Sequence, residues 1–207
     1  MLVSKVKICG ITNYDDAWAA VELGADLLGF NFFPDSPRYI PVDKAAEIVR
    51  HLPAFVELAG VFVNASLQTI RHAINECHLD WVQLHGDETA AFCLSLASDT
   101  VKVIKAVRIK DQADLDKADE YRVDAILLDA FHPDRYGGTG LIFDWDLIRD
   151  VTRRIFLAGG ITPDNAAKAI SLGTYGIDVC SGVESRPGKK DPAKMKALFE
   201  NIHYLRG

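Results

Sequence analysis

The chain predicts an α/β fold of the (β/α)8 barrel type, on three observations. Short apolar runs alternate with amphipathic helical stretches eight times within 207 residues, the pattern of successive strand-then-helix units. Each helical stretch is long enough to carry a right-handed crossover between parallel strands. The G-x-G-x-x-G turn that would signal the competing doubly wound open sheet after the first strand is missing. With 49% hydrophobic residues and no Ser/Gly-rich linker, residues 1–207 read as a single barrel domain with one core.

The first unit opens with Lys5 to Cys9 as a strand that turns on Gly10. Asn13 then stands as an N-cap, with Asp15 and Asp16 in the first helical turn and Ala17, Ala20, Val21 and Leu23 as the apolar stripe, closed by Gly24. Asp26 to Phe33 is dense enough in apolar residues for a strand covered on both faces. The proline-punctuated stretch Pro34 to Pro41 forms a loop before a helix from Asp43 to Leu52. Strands follow at Phe55 to Val63, Trp81 to His85, Val101 to Val107 and Asp124 to Asp129. Their helices run over Ser66 to Cys77, Asp87 to Ala97 and Asp111 to Tyr121, and the glycine-rich stretch Tyr136 to Gly140 leads to a helix capped by Asp144. Arg154 to Ala158, a helix from Pro163 capped by Thr162, Gly176 to Cys180 and a last helix from Asp191 complete the eight units.

Charge and cysteine usage exclude several function classes. A formal net charge of -6 supplies no basic field for a polyanion, so no nucleic acid partner is expected. No apolar run reaches the length of a membrane span, so no membrane partner is expected either. Cys9, Cys77, Cys93 and Cys180 show no C-x-x-C or Cys/His spacing, and nothing at the start resembles a signal peptide. They read as free thiols of a reducing, cytoplasmic environment, with no metal cluster. Oligomeric state stays open between monomer and homodimer.

In barrels of this kind the chemistry sits where strands end at their carboxyl side, and a phosphate is often held after strands seven and eight. The residues there are Cys9, Asn31 with Arg38 in the following loop, His85, Arg108, Asp129, Gly159, Gly160, Ser181 and Gly182. Glycines at Gly159-Gly160 and at Ser181-Gly182 allow backbone N–H groups to approach an anion closely, because no Cβ intervenes. Two such turns in these two loops point to a sugar-phosphate substrate. Period-two alternation puts Lys7 on the face of Cys9 and Asp178 on the face of Cys180. Since strands one and eight are neighbours in a closed barrel, Lys7 either pairs with Asp178 beneath Cys9, favouring its thiolate, or points outward past a helix end.

Lys7 to Thr12 (KICGIT), Ser36 to Ile40 (SPRYI), Gln83 to Gly86 (QLHG), Leu127 to Asp129 (LLD) and Gly137 to Gly140 with Phe143 to Trp145 open a series of motifs. Ala158 to Gly160 (AGG), and Ser181 to Glu184 with Pro187 to Asp191, complete it. Together, in this order and over almost the whole chain, they resemble the phosphoribosylanthranilate isomerase family of tryptophan biosynthesis, a TIM barrel of the ribulose-phosphate-binding type. The resemblance implies an Amadori rearrangement of N-(5-phosphoribosyl)anthranilate to 1-(2-carboxyphenylamino)-1-deoxyribulose 5-phosphate, with no cofactor. It implies Cys9 as base and Asp129 as acid, Arg38 on the anthranilate carboxylate, and phosphate on Gly159, Gly160, Ser181 and Gly182. His85 and Asp178 are further substrate-binding candidates, His85 being as readily packed or bonded to backbone.

The loop Gly137 to Gly140 reads either as a lid or as an ordered glycine turn. Cys180 stands where the family frequently has serine, and Ala130 where a hydroxyl residue is common. Two related phosphate-binding barrels compete. The indole-glycerol-phosphate synthase would bring an N-terminal extension and a lysine and glutamate set, and the histidine-pathway isomerase an aspartate in place of Cys9. A catalytically silent sugar-phosphate binder is the alternative of another class.

Overall fold

The computed structural model describes residues 4–96, 100–130, 143–148 and 153–206. Eight parallel strands close into a barrel in sequence order. They are β1 (Lys5–Cys9), β2 (Leu27–Asn31), β3 (Glu57–Phe62), β4 (Trp81–Leu84), β5 (Lys102–Ile109), β6 (Ala125–Ala130), β7 (Ile155–Leu157) and β8 (Gly176–Val179). Closure comes from β1 lying beside β8, with Lys7 opposite Asp178 and Ile8 opposite Val179. The strands are nearly continuous apolar runs because both faces are covered.

Two packed regions result. Inside the barrel, Leu27, Ala59, Trp81, Ile104, Leu127 and Phe156 pack on one another, so the lumen is filled rather than open. Between barrel and helices lies the larger core, including Ile8, Phe30, Val82, Ile126, Leu157 and Met195. At the amino ends of the strands, three aspartates repeat one device. Asp26 accepts from Val6 N at 2.7 Å, Asp80 from Leu58 N at 2.8 Å and Asp124 from Val103 N at 2.8 Å. Each ties the start of an even strand to the odd strand before it and satisfies a backbone donor at the barrel floor.

The helices are α1 (Tyr14–Glu22), α2 (Val42–Val49), α3 (Leu67–Cys77), α4 (Ala90–Ser95), α5 (Gln112–Ala118), α6 (Ala166–Ser171) and α7 (Pro192–Ile202). Asn13, Ser66, Asp111 and Asp191 cap α1, α3, α5 and α7 through their side chains, as expected of those residue types.

Three expectations need correction. Helix α4 starts at Ala90 under Thr89, not at Asp87, because Glu88 is drawn inward to a buried lysine. Helix α6 starts at Ala166, not at Pro163. Asn165 takes Thr162 N at 2.8 Å and Gly160 O at 2.9 Å, so a side-chain-bonded turn occupies the expected first turn. Asp144 precedes a 3-10 turn, Trp145–Leu147, in place of an α-helix among the described residues. The expected lid, Gly137 to Gly140, lies outside the described residues.

One element was not foreseen. After β8 a 3-10 turn, Ser181–Val183, leads into a two-stranded ribbon of β9 (Glu184–Arg186) and β10 (Lys189–Lys190). Gly188, with φ +77°, makes its turn. The buried Asp16 carboxylate of α1 fastens the ribbon, accepting from Lys190 N at 2.8 Å and from Lys189 Nζ at 2.6 Å.

Candidate active site

The carboxyl ends of the strands surround a cavity of about 610 Å³. Its lining brings together Cys9, Arg38, His85, Asp129, Gly159, Gly160, Asp178 and Ser181 of the expected site residues. Gly182 is the expected residue that does not line it. An added Cβ there would stand 1.9 Å from Ile161 O, so this glycine lets the turn after β8 press against the turn after β7. Gly159 and Gly160 have φ +81° and +61°, conformations that glycine adopts without steric cost. Arg108, named among the strand-end residues, donates to the exposed Asp87 at 2.8 Å and does not line the cavity.

Lys7 enters the barrel, fully buried, and its Nζ donates to Asp178 Oδ1 at 2.9 Å. The outward alternative for Lys7 is thereby excluded. Gly29, opposite Cys9 on β2, creates the room: a Cβ at that position would meet Cys9 Sγ at 2.8 Å and Lys7 Nζ at 3.1 Å.

The electrostatics follow from one cation facing two acids. The Cys9 thiol is held well below its ordinary value, chiefly by the side-chain interaction with Cys180, whose sulfur also lies 3.9 Å from Glu184 Oε1, and by Lys7 and Lys190, against the opposing effect of burial. The Cys180 thiol is pushed up in turn by that same interaction and by burial. Burial pushes the Asp178 carboxyl up to about 7 despite Lys7, with the Cys9 thiolate adding to the rise. Burial alone would lower Lys7, but Asp178 and Cys9 outweigh it and raise it. The two directions are compatible: the Lys7 ammonium between a thiolate and a carboxylate is held firmly protonated, yet it does not offset the burial of Asp178 in full.

Asp129, buried at the end of β6, accepts from Ala130 N at 2.9 Å through Oδ1. Its Oδ2 is 3.2 Å from His85 Nε2, and His85 Nδ1 is 2.9 Å from Gln83 Nε2. Since the amide N–H of Gln83 donates to Nδ1, the ring proton lies on Nε2 and is donated to Asp129. His85 is thus bonded to side chains at both ring nitrogens. The loop after β4 that carries it is secured from behind by the buried Lys105. Its Nζ donates to Glu88 Oε2 at 2.8 Å and Gly86 O at 2.7 Å, while Glu88 accepts from Gly86 N and Asn64 N.

Arg38 lies buried with its fork on Glu184. Nε donates to Oε1 at 2.9 Å and Nη2 to Oε2 at 2.7 Å, a bidentate pair of fixed orientation. Burial opposes the charges, but Arg38 and Lys190 hold the Glu184 carboxyl below its usual range. Lys190, also buried, donates to Glu184 Oε1 at 3.1 Å.

Gly29, Gln83, Glu184 and Lys190 were given no role in the sequence reading. Gln83 stood two residues before His85 on the same strand face, a signal that was present. Glu184, the side-chain partner of Arg38, lies 146 positions away, and no local pattern reveals it.

The model of the family described as N-(5'phosphoribosyl)anthranilate (PRA) isomerase matches residues 6–201. This chain belongs to that family. An N-(5'-phosphoribosyl)anthranilate isomerase of Geotalea uraniireducens (strain Rf4) is 50% identical over 206 residues, covering 98% of this chain and 100% of the relative. Among solved structures, monomers generated from the dimeric phosphoribosylanthranilate isomerase of Thermotoga maritima superpose with a TM-score of 0.87 at 41% identity, covering 98% and 100% of the two chains. A phosphoribosyl anthranilate isomerase in complex with reduced 1-(o-carboxyphenylamino)-1-deoxyribulose 5-phosphate gives 0.86 at 41% identity with the same coverage. The family is one of isomerase enzymes of tryptophan biosynthesis, and the closed parallel barrel of this chain agrees with its solved members. No helix of the described residues is long and apolar enough to cross a membrane.

Proposed function

We propose that this chain converts N-(5-phosphoribosyl)anthranilate to 1-(2-carboxyphenylamino)-1-deoxyribulose 5-phosphate, with Cys9 as general base and Asp129 as general acid. One observation carries the reading: a thiol favoured as thiolate and a buried, histidine-bonded carboxyl line the same cavity from β1 and β6. Residues on separate strands reach different atoms of one bound sugar.

The protonated Asp129 gives its proton to the furanose ring oxygen as the C1–O bond breaks, leaving an iminium at C1. The Cys9 thiolate then takes the proton from C2, and the electron pair moves to form an enolamine. Loss of the C2 hydroxyl proton and gain of a proton at C1 give the ketone, so composition is unchanged from substrate to product.

His85 and Gln83 support the acid. In the state described above, His85 Nε2–H donates to the Asp129 carboxylate, and Gln83 Oε1 is buried with no partner among the described residues. When Asp129 carries its proton, a half-turn of the Gln83 amide presents Oε1 to Nδ1–H and leaves Nε2 to accept the Asp129 O–H. Each protonation state of the acid therefore has a hydrogen-bonded arrangement waiting for it.

Asp178, paired with Lys7, forms the cavity floor beside Cys9 and faces the substrate ribose. Arg38, oriented by Glu184, faces the anthranilate carboxylate with its remaining Nη1 edge. Gly159, Gly160 and Ser181, with Gly182 behind them, provide the backbone for the phosphate. No cofactor or metal enters these steps. Four free cysteines suit a cytoplasmic enzyme, working as monomer or homodimer on a small-molecule substrate.

The test is the decay of phosphoribosylanthranilate fluorescence with the purified chain, beside Cys9→Ser and Asp129→Asn. Each variant is expected to lose on the order of a hundred- to ten-thousand-fold in kcat while still binding product. Turnover by either variant at the wild-type rate would remove its residue from the assigned role.

A further inference from the structure

The thiol of Cys180 has no part in those proton transfers, yet it lies against the one sulfur that does. Ile8 on β1 is opposite Val179 on β8, and Cys9 and Cys180 are the next residues along the two chains, Cys180 being the first past the end of β8. Adjacent strands run about 4.7–4.9 Å apart, inside the roughly 4.4–6.8 Å range of Cα separations that a disulfide spans. Both side chains point into the barrel mouth and line the cavity. The two sulfurs are packed between glycines: a Cβ on Gly10 would stand 3.1 Å from Cys180 Sγ, and one on Gly29 2.8 Å from Cys9 Sγ. Lys7 lies beside Cys9, and Lys190 Nζ is 4.0 Å from Cys180 Sγ. Cys77 and Cys93, by contrast, are buried among apolar residues on α3 and α4, where burial pushes both thiols up, Cys77 to about 11.

We propose that Cys9 and Cys180 form an oxidant-reactive pair, in which a hydroperoxide entering the cavity oxidises Cys9 and Cys180 captures the product as a Cys9–Cys180 disulfide. The Cys9 thiolate attacks the outer peroxide oxygen and the O–O bond breaks. The leaving oxygen takes up a proton and departs as alcohol or water. Two electrons pass from sulfur to peroxide, and Cys9 becomes a sulfenic acid. The Cys180 sulfur, giving up its proton, then attacks the Cys9 sulfur; the S–S bond forms, the S–O bond breaks and water leaves. The linked sulfur has no lone charge to serve as a base, so oxidation and isomerase chemistry exclude one another. A thiol reductant restores both cysteines.

The experiment exposes the full chain to hydrogen peroxide and reads intact mass, free thiols after denaturation, and tryptic peptides, before and after dithiothreitol. The expected result is a fall from four free thiols to two, a mass loss of two hydrogens and a peptide pair joining Cys9 to Cys180, all reversed by dithiothreitol. A double variant, Cys77→Ser with Cys93→Ser, is expected to form the same link. In Cys180→Ser and Cys180→Ala, Cys9 is expected to gain oxygen instead, in a form dithiothreitol does not fully restore. Oxygen retained on Cys9 of the wild type with no Cys9–Cys180 peptide, or a link to Cys77 or Cys93, would overturn the proposal. These readouts are masses and thiol counts, so they stand apart from whether the chain turns over phosphoribosylanthranilate.

Discussion

His85 Nε2 lies 3.2 Å from Asp129 Oδ2, and the histidine's other nitrogen is held by Gln83 at 2.9 Å. An acid held in this way by a fixed side chain is positioned for ring opening. His85→Ala removes a hydrogen bond to a charged group, worth about 1.5–3 kcal/mol. The expected outcome is a fall in kcat of roughly ten- to a hundred-fold with little change in KM. An unchanged kcat in His85→Ala would remove the histidine from any support of the acid.

The depressed Cys9 thiol rests on Cys180, Lys7 and Lys190 together. Replacing Lys7 by Met removes the cation nearest to both acids. The rate of iodoacetamide alkylation at Cys9, followed against pH, is expected to reach its midpoint at a higher pH in Lys7→Met than in the wild type. Cys180→Ala is expected to shift it in the same direction. Coincident curves in all three proteins would dissociate the thiolate from this cluster.

How much of this arrangement was readable beforehand depended on whether the determining contact was local. The eight strands, the cap at Asn13, and the face that Lys7 shares with Cys9 follow from periodicity and neighbouring residues and were legible, while the inward direction of Lys7 was one of two open alternatives. The start of α4 was not, because its residue Glu88 answers to Lys105 on another strand at 2.8 Å, and that long-range pairing overrides a local helix signal. The Arg38–Glu184 fork escaped for the same reason. Gly29 escaped for a different one: a glycine within an apolar strand reads as weak packing, whereas its function is to leave space for two side chains of β1.

Glu184 sets the direction of Arg38, so the two residues have separable effects. Arg38→Ala is expected to raise KM at least about tenfold, the loss of a charge-assisted hydrogen bond to substrate. Glu184→Gln keeps an acceptor but weakens the fork, and a smaller rise in KM is expected at nearly constant kcat. Steady-state kinetics of both variants check this; an unaltered KM in Arg38→Ala would exclude contact with the substrate carboxylate.

Asp80 offers a test of the barrel floor that leaves the mouth untouched. Asp80→Ala strands the backbone N–H of the buried Leu58, at a cost of about 1–3 kcal/mol. Urea unfolding is expected to show that loss, with the kcat of the folded protein unchanged. A midpoint equal to the wild type would mean that water replaces the aspartate there.

The Asp178 carboxyl gives stability a pH dependence whose sign differs from that of most carboxylates. Its pKa in the folded chain is raised by burial to about 7, against 3.8 for the free group. Between those values the folded state holds the proton that the unfolded chain has lost. Its contribution is therefore fully present below about pH 4 and is lost as pH rises toward 7, at a slope of at most about 1.4 kcal/mol per unit. The lowered Cys9 thiol acts in the opposite sense, adding stability as pH rises toward its ordinary value of 9.0. The comparison is therefore made in a Cys9→Ala background, with and without Asp178→Asn. Urea unfolding at pH 5 and pH 7 is expected to show the aspartate-bearing protein losing more stability over that interval than its asparagine counterpart. Equal losses would mean that burial does not raise the Asp178 carboxyl above its ordinary value once Lys7 is beside it, and the pH dependence assigned to it would fall.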